Sequence, residues 1–141
     1  MKAISDELIR ITTLLGVSYE RAASLNQANT LIHYQDITSI IVIYVGYGNA
    51  EVVRNAGAQP SQIVDTSVYV LDKKEVADEL AVNVDIILDA TAQVAADIIE
   101  NFDITPDLLD YSLEPVEVFD DMLVGYLLTF SPSIDAPVCS P

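Results

Sequence analysis

The chain has one histidine, one cysteine and no tryptophan, and beyond Lys74 it has no basic residue at all. With Cys139 alone, no intrachain disulfide and no cysteine-based zinc cage can form, which fits synthesis in a reducing cytoplasm. His33 is the sole imidazole, and no Gly-x-Ser-x-Gly element surrounds any serine, so nucleophilic catalysis lacks its usual partners and the residue reads as a surface or strand-edge histidine. Gly46-Tyr47-Gly48-Asn49 has neither the Gly-Lys-Ser/Thr ending of a phosphate loop nor a third glycine at dinucleotide spacing, and it reads as a pair of turn glycines closing a strand. Long apolar runs are also missing. The longest, Ile40 to Val45, is far short of the roughly 20 residues of a membrane helix, and Met1 to Glu7 lacks the basic-then-apolar layout of a signal peptide. The expectation is therefore neither secretion by that route nor a membrane span.

What the chain does have is carboxylate. Its formal charge of −16 is polarised, because residues 1–66 carry six acids against four bases while residues 67–141 carry sixteen against two. A half-molecule of that charge repels nucleic acid, acidic membrane surfaces and other copies of itself. Recognition of DNA or RNA by a basic patch has no residues to use. Acidity of this kind accompanies disorder only when aliphatic residues are scarce, and here hydrophobic residues make up 51% of 141 positions, enough for one compact core.

Periodicity supplies the elements. Ile4, Leu8, Ile11 and Leu15 recur at steps of four, three and four ahead of Gly16, which predicts an amphipathic helix with a glycine stop. Residues 17–36 stay open between a short strand at Val17 and Tyr19, a short helix and a surface loop. The β-branched and aromatic run from Ile37 to Tyr47 predicts a largely buried strand, and Ser67 to Leu71 a second one. Asn49 to Gln62, with Gly57 and Pro60, reads as a long connecting loop. Val84, Ile87, Leu88, Val94, Ile98 and Phe102 line one side of a helix over roughly 83–102, which could begin as early as Val76. Tyr111 to Val118, interrupted by Pro115, suits an edge strand. It leads through Phe119-Asp120-Asp121 into Met122 to Phe130 as a closing hairpin. The fold class is α+β: a small mixed or antiparallel sheet with one long amphipathic helix packed on a face, an N-terminal helix and a C-terminal β-hairpin. Residues 1–130 are read as a single domain and 131–141, rich in proline, as an extended tail.

The acids form no recognisable motif. Asp103, Asp107, Asp110, Glu114, Glu117, Asp120 and Asp121 offer many oxygen ligands, yet the alternating ligands, central glycine and terminal glutamate of an EF-hand are absent. A glycosidase pair would need an aromatic-lined cleft. The plain reading is a solvated face, and Lys73 and Lys74 read as a solubilising strand end. Neither a cofactor nor an enzyme activity is expected.

The arrangement as a whole resembles the tail-terminator and tail-completion proteins of tailed bacteriophages. The likeness rests on the strand Ser67-Val68-Tyr69-Val70-Leu71-Asp72-Lys73-Lys74, the helix ending Ala95-Ala96-Asp97-Ile98-Ile99-Glu100-Asn101-Phe102, and the closing strand Asp121-Met122-Leu123-Val124-Gly125-Tyr126-Leu127-Leu128-Thr129-Phe130 with its short proline- and cysteine-containing tail. The resemblance implies a virion protein, made in the host cytoplasm, that forms a homo-oligomeric ring at the head–tail junction. Six-fold order is favoured over twelve-fold, the neighbours are portal, adaptor or tail-tube proteins, and DNA passes through the lumen. On that reading the cluster from Asp103 to Asp121 faces the lumen and repels phosphates. The subunit interface would use Arg10, Arg21 and Arg54 against acids of the next copy, with Pro132, Ile134 and Val138 of the tail reaching a neighbour. Ring formation would strengthen with ionic strength if repulsion dominates. The alternative is a small acidic cytoplasmic adaptor or binding module for a basic protein partner.

Overall fold

The computed structural model describes residues 2–24, 27, 40–54, 60–73, 81–103, 110–118 and 123–136. The first helix, α1 (Lys2–Leu15), buries Ile4, Leu8 and Ile11 completely, as the four-three spacing predicts. Thr12 joins that face because its hydroxyl donates back to the Leu8 carbonyl at 2.7 Å, which satisfies it inside the helix. The helix stops at Gly16, whose φ of 72° is left-handed. There the Val17 amide donates to the Thr12 carbonyl and the Gly16 amide to the Thr13 carbonyl, the paired bonds of a Schellman end.

A five-stranded sheet follows, built from β1 (Ser18–Ala22), β2 (Ile41–Val45), β5 (Thr66–Lys73), β6 (Tyr111–Val118) and β7 (Leu123–Phe130) in the order β1-β2-β5-β7-β6. Only β1 and β2 run parallel. Side chains alternate across a strand, so each inner strand feeds both faces. Val42, Tyr44, Val68, Val70, Leu128 and Phe130 meet α1 and the second helix, α2 (Ala81–Glu100), in the main core. Ile41, Ile43, Leu71 and Leu123 form a smaller cluster with Ala22 on the other side. Burial on both faces is why β2 reads as an unbroken apolar run.

α2 inserts Thr91, Ala95 and Ile98 into the core, and Phe102, just past its end, stacks edge-on against Phe130 with ring centroids 5.3 Å apart. The expected stripe is therefore correct over its second half. Val84, Ile87 and Leu88, which extend it toward the N-terminus, are only half-buried, and Thr91 enters the core because its hydroxyl bonds the Ile87 and Leu88 carbonyls.

Two sequence readings are corrected. The expected loop over 49–62 contains β3 (Ala50–Val53) and the first two residues of β4 (Ser61–Val64), which pair antiparallel. The expected tail contains β8 (Ser133–Asp135), which pairs with β4 to complete a three-stranded sheet. Strands of three or four residues carry no measurable period, and β4 finds its second partner some seventy positions later in the chain. The prolines do not prevent this ladder, because β8 is an edge strand and the Pro132 carbonyl accepts from the Val64 amide at 3.0 Å. Asp65 alone separates β4 from β5, so the chain crosses from the small sheet to the large one in a single residue. The remaining elements stand close to expectation, with a short strand resolving the start of 17–36. Residues 28–36 and 37–39, the hairpin turn at Phe119, Asp120, Asp121 and Met122, and any start of the helix near Val76 lie outside the described residues.

Candidate functional site

The basic residues come first, because a surface meant to pair with acids needs them free. Arg10, on α1, donates from Nη2 to Glu7 Oε1 and to the Asn101 carbonyl, each at 2.5 Å, and stands 3.3 Å from Asp103 Oδ2. Glu7 in turn accepts the Asp103 amide at 2.8 Å. α2 has no basic residue in its last turn, and Glu100 there opposes the helix dipole. Arg10 supplies from α1 the positive charge that the end of α2 lacks. The Arg10 guanidinium, and then the Asp103 amide, hold the Glu7 carboxyl below its usual range against the opposing pull of burial.

Arg21 is also occupied within the chain. Its Nη1 donates to the Ala22 carbonyl at 2.8 Å and the Tyr44 carbonyl at 3.0 Å, and its Nη2 to the Gly46 carbonyl at 2.7 Å. The guanidinium lies 3.9 Å from the Tyr44 ring centroid and 5.6 Å from that of Tyr47. This arginine fastens the ends of two parallel strands. Tyr44 is fully buried beneath it, and its hydroxyl has no hydrogen-bond partner among the described residues. Burial raises the Tyr44 phenol, with Arg21 opposing. Arg54, exposed just after β3, is engaged as well. Lys2 pairs with Asp6 at 2.8 Å on the exposed face of α1.

The acids are distributed rather than gathered. Asp103 is exposed and belongs to the Arg10 clasp. Glu114 and Glu117 are both exposed on β6, yet three positions apart on a strand they project from opposite faces. Asp110 is exposed at the start of that strand, and Asp107, Asp120 and Asp121 lie outside the described residues. On α2, Asp85, Asp89 and Glu100 add exposed carboxylates. Among the described residues none of Asp85, Asp89, Glu100, Asp110, Glu114 and Glu117 has an ion-pair partner. Of the tail residues assigned to an interface, Pro132 is buried, Ile134 is half-buried against the main core, and Val138 lies outside the described residues.

An open groove of about 780 Å³ lies where β5, β6 and β7 meet the small sheet, lined by Asp65, Asp110, Tyr111, Ser112, Thr129 and Ser131 among others. Within it Ser131 donates to Asp65 at 2.9 Å, Thr66 donates to the Val64 carbonyl at 3.0 Å, and Ser112 and Thr129 bond one another. Among the described residues no lysine, arginine or histidine lines it. A second crevice, about 210 Å³ and mostly apolar, separates Val84 and Leu88 of α2 from Pro115, Val116 and Val124. His33 and Cys139 lie outside the described residues, among which no group of three or more His, Cys, Asp or Glu could hold a metal. No described helix is long and apolar enough to cross a membrane.

Two further features were not legible in the sequence. Tyr47, whose ring lies 5.6 Å from the Arg21 guanidinium, is 79% exposed, and Val52 on β3 is 52% exposed. Gly48 is obligatory there, since a Cβ would fall 1.5 Å from the Asp65 carbonyl oxygen where the two chains pass. Compared with protein-family models and with curated proteins, the chain matches none.

Proposed function

We propose that this chain is a structural subunit of a tailed-bacteriophage particle, one copy of a ring at the head–tail junction through which DNA passes. The observation that carries the reading is the order of elements: α1, the buried strands ending in β5, the long helix α2, and the β6–β7 hairpin, the arrangement on which the resemblance rests. The surface favours the same view, for it offers strand edges and solvated carboxylates. Asp85, Asp89 and Glu117, without ion-pair partners among the described residues, would give a lumen wall that holds no phosphate, since phosphate there would meet like charge and release no counterions from the protein's own cations. Arg10 and Arg21 are committed within the subunit, so contacts between copies fall to strand edges and apolar groups more than to arginine–acid pairs. Portal, adaptor or tail-tube proteins are the neighbours this reading requires. Quantitative mass spectrometry of purified particles tests it. A fixed copy number, six or twelve per particle, is the expected result, and absence from particles that retain their tails would overturn the proposal.

A further inference from the structure

The edges of the two sheets are guarded unequally. β6 carries Pro115 between Glu114 and Glu117, β8 follows Pro132 and ends on Asp135, and β1 carries Glu20 and Arg21. Proline and charge are the usual means of keeping an edge from pairing with another chain. β3, Ala-Glu-Val-Val, has no proline and a single charge, Glu51, and no described strand pairs on its outer side. Three of its four residues are exposed, Val52 among them. Charge singles out the same place. Between Ile37 and Val64 the sequence holds one acid, Glu51, and one base, Arg54, so this stretch is neutral in a chain of net charge −16. It is where two copies can approach without setting carboxylate against carboxylate.

We infer that the outer edge of β3 is a self-pairing edge, where β3 of a second copy adds antiparallel about a two-fold axis through Val52. An antiparallel pair in one sheet has its two-fold normal to the sheet, which requires some residue to stand opposite itself. Centring on Glu51 would oppose like charges, a destabilising pair. Centring on Val52 opposes two valines, sets Glu51 against Val53 and Ala50 against Arg54, and leaves both exposed apolar side chains at the junction. The contact closes at two copies, so it is separate from any ring contact and stands whether or not the ring reading does. With four residues a side it is small, and association is concentration-dependent.

Sedimentation velocity over a concentration series reads the association, and cross-linking reads the register. The wild-type chain is expected to pass from one to two copies as concentration rises, with Val52→Lys weakening this at least about tenfold. Opposed Cα atoms in an antiparallel pair lie about 4.5–5.5 Å apart, within disulfide reach. In a Cys139→Ser background, Val52→Cys should therefore oxidise to a covalent dimer, whereas Ile86→Cys, equally exposed but on α2, should not. A wild-type chain that stays monomeric throughout, or equal cross-linking at both positions, would overturn the inference. Val52 is exposed, so these substitutions leave the fold intact, and unchanged thermal unfolding checks that.

Discussion

At the level of single residues, the chain uses its few cations as fasteners. Glu7, Arg10 and Asp103 tie the start of the chain to the end of α2 across more than ninety positions, and Arg21 joins two strand ends through three carbonyls. The Glu7 carboxyl lies below its ordinary 4.5 in the folded state, so its contribution to stability is present above that value and lost as pH falls through the folded value. Glu7→Gln should thus lower stability by about 1 kcal/mol at neutral pH and lose that deficit as pH falls through the folded value, measured by urea unfolding at several pH values. A deficit that persists unchanged in acid would mean the clasp acts by shape, not charge. Tyr44 makes the opposite case. Its buried hydroxyl lacks a partner among the described residues, so Tyr44→Phe should leave stability unchanged or raise it by up to about 1 kcal/mol in the same assay. None of this was legible in the sequence, because which acid an arginine meets depends on contacts between segments far apart in the chain.

Elements with a long period were readable and short ones were not. α1 and the second half of α2 declare their buried faces through apolar residues at steps of three and four, and β2 and β5 through β-branched runs. Thr91 escaped notice because a threonine in a helix hides its hydroxyl on the preceding turn, a device that composition does not reveal. β3, β4 and β8 are too short to show alternation, and proline at the approach to β8 argued for a tail. The small sheet makes that C-terminal segment part of the domain, since Ile134 packs on the main core and the Ala136 amide bonds the Pro60 carbonyl at 2.9 Å. Ile134→Ala is expected to cost about 1–3 kcal/mol in global unfolding, as a partly buried large-to-small change does. A free tail would tolerate it without effect, and the denaturation midpoint separates the two. For the assembly surface the lesson is similar: the carboxylates were countable, but their spread over α2 and both faces of β6 required the strand register.

The whole molecule carries −16, and its exposed acids on α2 and β6 repel one another with no cation among the described residues to offset them. Screening shortens that repulsion to about 3 Å at 1 M salt from about 30 Å at 0.01 M. The midpoint of thermal unfolding should therefore rise by several degrees between those limits, and a fall would indicate that the Arg10 clasp outweighs the general repulsion. On the proposed reading, the same charge would let the chain stand beside DNA without holding it. The most direct test is cryo-electron microscopy of the assembled particle. The account predicts a ring of this fold at the head–tail junction with Asp85, Asp89 and Glu117 facing the lumen, and a ring that turns those residues to the outer wall, or a junction with no such subunit, would contradict it.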